Sequence, residues 1–338
     1  MQNRKVDIKS ILKKSSRTWI LLVIILVLAM LQPGVFLTIA NIKSILMSIS
    51  IYGIMVCGTV FPVLLGGIDL SVGAVAASGG AFCVVSIVNS GNSQLGVVIG
   101  ILGGIAIGVL VGMIHGVIVT TFDVPPFLIT LATQNIVYGV AQLLTKNTVI
   151  PCMEPASFAF IGGGRLLGIP FSIFILFIMA FVSYIILSKT VYGRSIYGVG
   201  GNSEACRLSG IKSRRVTIMA YVLSGITASI AGIVLASMNR QAIARAARGY
   251  DNFVLTALVV GGTSLMGGEG TITGAIWGAF LVGVVSNGLR LLGISSDYHG
   301  IFKCIIIIIA VAFDTGIKYR SSGLKRKGVL FHKMKKED

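Results

Sequence analysis

Long apolar runs broken by short polar segments dominate this chain. Most runs approach the length of about twenty residues that a helix needs to cross a bilayer. The alternation predicts ten membrane spans, at residues 18–37, 43–65, 68–88, 95–121, 126–144, 169–188, 216–238, 253–266, 271–292 and 299–317. The pattern therefore predicts an all-α polytopic membrane protein with about ten transmembrane helices.

Two of the polar breaks contain glycine pairs. The first, GGIDLS at residues 66–71, places Asp69 between two apolar runs. A carboxylate at membrane depth usually faces a protein interior or a watery cavity, although Asp69 could instead N-cap the next helix. The second break, GGTSLMGGEG at residues 261–270, repeats the glycine pair late in the chain. Paired glycine-interrupted helices favour a transport site, but glycine is abundant here and the correspondence stays open.

Composition and charge support the membrane assignment. The 338 residues are 55% hydrophobic and 12% charged, with a mean hydropathy of +0.93 and a net charge of +17. Twenty of the 28 basic residues lie in residues 1–18, 189–215 and 318–338. Basic residues concentrate on the cytoplasmic side of membrane proteins, so we expect both termini and the 189–215 loop to be cytoplasmic. This divides the chain into a basic N-terminus (1–18), a transmembrane domain (19–317) and a basic tail (318–338).

Two connections are then expected on the outer side. Residues 145–168 carry Glu154 and Arg165, which could dock a soluble partner or simply be solvated. Residues 239–250 carry three arginines against the usual charge bias. These could meet an acidic binding protein, steer an anionic substrate or be solvated at the membrane surface. The arginines are Arg240, Arg245 and Arg248.

The cytoplasmic loop contains its own helix signal. Asn202 or Ser203 can cap a helix whose first turn carries Glu204, and Gly210 can end it in a left-handed conformation. Such a helix could fill the groove of a partner or lie along the membrane surface.

Smaller signals point to packing. Gly104, Gly108, Gly112 and Gly116 recur every fourth residue, which places a small-residue stripe on one helix face. His115 beside that stripe fits a buried, hydrogen-bonded structural role better than a proton relay. The five cysteines offer neither an outer disulfide pair nor metal-ligand spacing, so we expect no metal site.

Four motifs stand in a recognisable order: GGIDLSVG (66–73), VPPFLITL (124–131), GRSIYGVGGNSEA followed by LSGI (193–211), and GGTSLMGG (261–268). Together they resemble the permease subunit of bacterial ribose-type (monosaccharide) ABC importers, and the resemblance runs from about residue 42 to 317. It implies a non-enzymatic subunit of the bacterial cytoplasmic membrane. It also implies a second permease, homologous or identical, an ABC ATPase with two nucleotide-binding modules, and an extracytoplasmic sugar-binding protein.

The resemblance also implies roles for individual residues. The segment matching the ATPase-coupling segment of the family includes Gly201, Asn202, Glu204, Ala205, Leu208 and Gly210. This chain has no Gly-x-x-x-x-Gly-Lys-Ser/Thr loop, so ATP and magnesium should be bound by the partner ATPase and the chain itself should need no cofactor. The outer arginines depart from the more neutral segment usual in the family, which leaves a sugar derivative, a nucleoside or an autoinducer as alternative substrates.

A translocation pathway for sugars needs hydrogen-bonding side chains, because unsatisfied hydroxyl groups are costly in hydrocarbon. The candidates are Phe61, Gly66, Gly67, Asp69, Ser71, Gln134, Asn135, Tyr138, Thr263, Ser264 and Asn287. Each of the polar side chains could equally serve helix–helix hydrogen bonds. An ion-coupled secondary transporter is less well supported, because Asp69 is the one carboxylate clearly placed at depth. A passive channel would need a polar stripe along several spans, which the apolar runs do not show.

Overall fold

The computed structural model describes residues 21–294 and Ile301. Twelve helices and four two-residue strands make up this part of the chain, which confirms the all-α membrane architecture. The helices are α1 (Leu21–Leu31), α2 (Ile39–Leu64), α3 (Val72–Asn89), α4 (Gln94–Phe122), α5 (Pro126–Leu144), α6 (Ala156–Gly163), α7 (Phe171–Lys189), α8 (Val191–Gly201), α9 (Ser203–Leu208), α10 (Ser213–Asn239), α11 (Tyr250–Val260) and α12 (Ile272–Leu291).

Seven of these helices are long and apolar enough to cross a membrane: α2, α3, α4, α5, α7, α10 and α12. Each corresponds to a span expected from the sequence. The basic ends 1–18 and 318–338 and the expected span 299–317 lie outside the described residues, apart from Ile301.

The expected span 253–266 is wrong in one respect. Its helix, α11, ends at Val260 and has 11 residues. At a rise of about 1.5 Å per residue it covers about 16 Å, roughly half of a hydrocarbon core. Gly261 and the following glycines end the helix early, because Gly262, Gly267 and Gly268 adopt positive φ angles that L side chains rarely take. α11 is therefore a half-span followed by a non-helical segment.

The core of the bundle is built on small residues. The glycine stripe of α4 packs directly on α10: the space for a Cβ on Gly108 is taken by the Gly225 carbonyl, and that on Gly112 by the Tyr221 carbonyl. The stripe continues at Gly116 against Ile218. Because a membrane offers little hydrophobic drive between helices, such close backbone contact supplies the packing. The expected packing role of the stripe is confirmed.

The two sides of the bundle differ. On one side, β1 (Ile150–Pro151) pairs antiparallel with β4 (Gln241–Ala242), and β2 (Arg165–Leu166) pairs antiparallel with β3 (Ile169–Pro170) directly after α6. On the other side, α8 and α9 connect α7 to α10. Following the charge distribution, we call the α8–α9 side the inner side and the strand side the outer side.

Candidate functional site

The two glycine-interrupted segments meet at the inner side. The backbone N–H of Gly268 donates to the carbonyl of Leu64 over 2.8 Å, which ties the second interruption to the end of α2. Gly66, with φ of 77°, faces the Met266 carbonyl, and a Cβ there would lie 3.5 Å from that oxygen. Segments that are about 200 residues apart in sequence therefore form one non-helical layer. Whether they also form a structural repeat stays an open hypothesis.

Helix α8 rests on this layer. The Tyr197 hydroxyl donates to the carbonyl of Gly270 over 2.7 Å, and the Tyr192 hydroxyl donates to the carbonyl of Val216, at the start of α10, over 3.0 Å. A Cβ on Gly200 would overlap the Leu64 carbonyl and come within 2.8 Å of the Gly268 nitrogen. Only glycine allows this approach, so α8 touches both interruptions at one point.

Helix α9 projects from this support into solvent. The side chain of Asn202 accepts from the Ala205 N–H over 2.9 Å, so Asn202 rather than Ser203 is the cap, and Gly210 ends the element with φ of 82°. All but Cys206 of the residues 201–210 are exposed, and Leu208 is 78% exposed. The coupling candidates Gly201, Asn202, Glu204, Ala205, Leu208 and Gly210 thus share one exposed projection.

Arg207 and Glu204 form an ion pair on the exposed surface of α9. Arg207 donates from Nη2 to Glu204 Oε1 over 2.6 Å and from Nε to Oε2 over 3.1 Å. These hydrogen bonds, and then the positive charge, lower the pKa of Glu204 from its ordinary value. Glu204 is therefore ionised at neutral pH. An exposed pair of this kind adds little stability, so its charges remain available to a partner.

Asp69 is buried in the bundle as a hydrogen-bond acceptor. Its Oδ1 accepts from the Ser71 N–H (3.0 Å) and hydroxyl (2.7 Å), and its Oδ2 accepts from the Ser224 hydroxyl (2.8 Å). Ser71 precedes the first residue of α3, so Asp69 closes the turn before the helix rather than capping a helical N–H as expected. Ser224 lies about 17 Å along α10 from its inner end, which places the carboxylate at depth.

His115 differs from the expectation. It is fully buried, and within the described part of the chain neither ring nitrogen has a hydrogen-bond partner. Its ring instead packs at a T-shaped angle against Tyr221, with centroids 6.0 Å apart. The expected hydrogen-bonded histidine is thus wrong in its bonding, while its buried position is confirmed.

The remaining pathway candidates do not come together in a single site. Gln134 donates to the Leu70 carbonyl over 2.8 Å and so ties α5 to the non-helical segment before α3, whereas Asn287 exchanges hydrogen bonds with Asn41 over 2.8 and 3.1 Å and so joins α12 to α2. Asn135 is exposed on α5, with Tyr138 one turn further along. Phe61 lies buried 6.5 Å from the ring of Tyr192. The others lie in or beside the interrupted layer, at Gly66, Gly67, Asp69, Ser71, Thr263 and Ser264.

The outer candidates divide into two groups. Glu154 and Arg240 line a pocket of about 550 Å³ at the tip of α6. Arg165, the first residue of β2, comes directly after Gly164, which also lines this pocket. Arg245 and Arg248 instead lie on the connection from β4 to α11. There the amide oxygen of Gln142, in the orientation that satisfies both groups, accepts from Arg245 Nε and Nη2 over 2.9 Å.

Sequence reasoning missed several of these contacts. Tyr192, Tyr197 and Gly200 hold α8 in place, and Gln142 holds Arg245. A signal existed for Gln142, because Asn135, Tyr138 and Gln142 recur at spacings of three and four on one face of an otherwise apolar helix. The tyrosines of α8 gave no such signal, since their partners are backbone carbonyls distant in sequence.

Comparison with known proteins identifies the family. The family described as "Branched-chain amino acid transport system / permease component" matches residues 41–311. The ribose import permease protein RbsC of Bacillus subtilis is 36% identical over 314 residues, covering 93% of this chain and 96% of that protein. RbsC of Escherichia coli is 37% identical over 317 residues, covering 93% and 97%.

A third relative is the L-arabinose transport system permease protein AraH of Escherichia coli, which is 36% identical over 279 residues, 82% of this chain and 84% of that protein. No solved structure matches the chain. These relatives are transport subunits, not enzymes, and the resemblance inferred from the four motifs is confirmed. With its membrane-spanning helices and its match over residues 41–311, the chain belongs to the ABC importer permease family, as a multi-pass membrane subunit.

Proposed function

We propose that the chain is the permease subunit of an importer that carries a monosaccharide of the ribose or galactose type across the cytoplasmic membrane of a bacterium. The family description mentions branched-chain amino acids. The relatives aligned over most of the chain are instead permeases for ribose and arabinose. Their near full-length coverage supports a sugar substrate.

Transport requires partners in this proposal. The chain has no phosphate-binding loop, so a separate ATPase with two nucleotide-binding modules holds ATP and magnesium. A second permease subunit, identical or a sister chain, completes the pathway. An extracytoplasmic binding protein delivers the sugar to the outer side, where Glu154, Arg165 and Arg240 are the docking candidates.

The observation that carries the proposal is the position of α8 and α9. The exposed projection presents Glu204 and Leu208 to the ATPase, while Tyr197 and Gly200 connect the same unit to the interrupted layer. Movement of α9 would therefore displace the ends of α2 and α12 together. ATP binding that draws the two modules together can shift the bundle between outward-open and inward-open populations by this route.

The test is the charge reversal Glu204→Lys in the complex with the ATPase. We expect ATP-driven sugar uptake to fall at least about tenfold, since loss of one charge-assisted contact costs about 1.5–3 kcal/mol. The permease should remain in the membrane. Asp123→Lys reverses another exposed carboxylate, between α4 and α5, and serves as the matched control. Unchanged uptake and unchanged co-purification of the ATPase with Glu204→Lys would contradict the docking role.

A further inference from the structure

The connection between β4 and α11 descends into the bundle. At its start, Gln241 and Ala242 pair with β1 at the outer side. Further along, the Ala247 carbonyl packs against Gly73 at the start of α3. At its end, the ring of Tyr250 lies 5.0 Å from the ring of Tyr52, which is about 20 Å into α2 and close to its midpoint. Residues 243–249 therefore leave the outer surface and enter the membrane region.

Three arginines lie along this connection or beside it. Arg245 pairs with Gln142, two residues from the outer end of α5. Arg248 lies within electrostatic reach of Tyr138, about 9 Å below that end. Arg290, one residue before the outer end of α12, lies within electrostatic reach of Tyr250 at the foot of the descent. All three arginines are exposed in this subunit.

The surface around these arginines is polar and positive. Asn135, Tyr138 and Gln142 form one stripe on α5, and this stripe faces Arg245 and Arg248 through the contacts just described. Among the residues of α2, α3, α5, α11 and α12, the one carboxylate is that of Asp251, which is buried at the start of α11. On these five helices taken together, the single acidic group of Asp251 is therefore outnumbered by the three arginines Arg245, Arg248 and Arg290.

Lipid is a costly surrounding for the exposed guanidinium group of Arg248, because a charge placed below the helix ends usually faces a water-filled cavity or a protein interior. A soluble binding protein reaches the rim of the bundle, where Arg240 lines the pocket with Glu154. Arg248 lies below that rim. Arg240 therefore lies at the rim, where a binding protein can dock. Arg245 and Arg248 lie further along the connection, where they can contact a solute that enters the bundle.

We infer that Arg245 and Arg248 line an aqueous outer vestibule that selects solutes carrying a negative charge, so that the imported substrate is an anionic sugar derivative. This inference rests on the importer role in the proposed function and replaces its neutral monosaccharide with a charged derivative of such a sugar. A cavity lined by charge of one sign raises the local concentration of oppositely charged solutes by about tenfold or more. A carboxylate or a phosphate on the sugar would supply that charge.

A cysteine reporter tests the vestibule without reference to transport. In the assembled complex, Asn135→Cys is labelled from outside with an anionic (sulfonatoethyl) and a cationic (trimethylammonioethyl) methanethiosulfonate reagent. With each rate divided by the rate of the same reagent with free cysteine, which removes the intrinsic preference of a thiolate for the cation, we expect the anionic reagent to react about tenfold faster. Adding Arg248→Gln should reduce this preference several-fold, and Arg248→Lys should retain it because the charge remains. Arg214→Gln removes a charge at the inner end of α10 and should change nothing.

Uptake by the reconstituted complex supplies the second readout, with D-ribose, D-ribonate and D-ribose 5-phosphate as probes. Faster ATP-dependent uptake of either anion supports the inference and identifies the charged group. A reporter that reacts with neither reagent, or that shows no preference once both rates are divided by those with free cysteine, overturns it, as does uptake of D-ribose that is at least as fast as uptake of both anions. Failure of the proposed function is distinguishable, since it would abolish ATP-dependent uptake of all three probes while leaving the labelling preference intact.

Discussion

At the scale of single residues, Asp69 shows how a charge at membrane depth is accommodated. Its two oxygens accept three hydrogen bonds, from the N–H and hydroxyl of Ser71 and from the hydroxyl of Ser224. Hydrogen bonds of this kind offset part of the cost of burying a polar group. The carboxylate thereby joins the first interruption to α10, which favours a structural role over direct contact with the sugar.

Asp69→Asn should therefore retain most of the folding free energy. The amide oxygen still accepts from the Ser71 N–H, and the Ser224 hydroxyl can rotate to accept from the new amide. We expect a loss of about 1 kcal/mol for Asn and of about 3 kcal/mol or more for Asp69→Leu, which leaves buried donors without acceptors. Thermal unfolding in detergent measures both variants. Equal losses for Asn and Leu would show that the hydrogen bonds are not what the site requires.

At the scale of elements, the contact between α4 and α10 depends on backbone proximity. A Cβ on Gly108 would overlap the Gly225 carbonyl and the Ser229 hydroxyl, whereas nothing lies within 4 Å of the corresponding position on Gly139 of α5. The two glycines are therefore matched in residue type and in helical setting but differ in packing.

Gly108→Ala should destabilise the protein by about 1–3 kcal/mol, because the two helices must separate. Gly139→Ala should be neutral, or stabilising by up to about 1 kcal/mol through helix propensity. Unfolding midpoints of the two variants, measured side by side, check the difference. A similar effect of both substitutions would mean that α4 and α10 are not in backbone contact.

The sequence was sufficient for the elements whose signals are local. Apolar length located the seven spanning helices, and the four-residue glycine period located the face of α4. Capping chemistry located α9 at Asn202. The end of α11 at Val260 was missed, because Leu265 and Met266 extend the apolar window across the glycine pair, while the glycine φ angles that end the helix leave no signal in hydropathy.

The candidate site was less predictable than the fold. Its essential contacts join α8 to Leu64, Gly268 and Gly270 through backbone atoms. Backbone partners leave no trace in residue type, and their separation in sequence removes any periodic signal. Only the exposed half of the site, α9, could be located from the chain itself.

Substitution of Tyr197 tests the contact between α8 and the interrupted layer. Tyr197→Phe removes one hydrogen bond, to Gly270, and should cost about 0.5–1.5 kcal/mol of stability. We expect ATP-driven uptake to fall more than ATPase binding does, because α9 remains exposed while its connection to the interrupted layer loosens. Tyr184→Phe, on an exposed face of α7, is the matched control. Loss of ATPase binding in step with uptake would instead assign Tyr197 to the docking surface.

At the scale of the whole molecule, the question is whether α8 and the interrupted layer move as one body. A Cβ on Gly268 would lie 3.3 Å from the Cα of Gly201, whereas a Cβ on Gly201 would have no atom within 4 Å. The two positions are therefore adjacent, but they suit a short flexible cross-linker better than a direct disulfide. The pair Gly201→Cys and Gly268→Cys, with Cys206→Ser to remove the neighbouring thiol, would fix this contact when joined by a short bis-methanethiosulfonate linker.

Because the Gly268–Leu64 and Tyr197–Gly270 hydrogen bonds already tie these segments together, the cross-link should leave ATP-driven uptake within about twofold of the reduced protein. Sliding of α8 across the layer during transport would instead make the cross-link block uptake and its removal by reduction restore it. The single-cysteine variants control for the strain of a side chain at Gly268, where φ is 76°. Uptake retained by the cross-linked protein would mean that force from the ATPase reaches α2 and α12 through a rigid unit, and that opening occurs where those helices pack against the rest of the bundle.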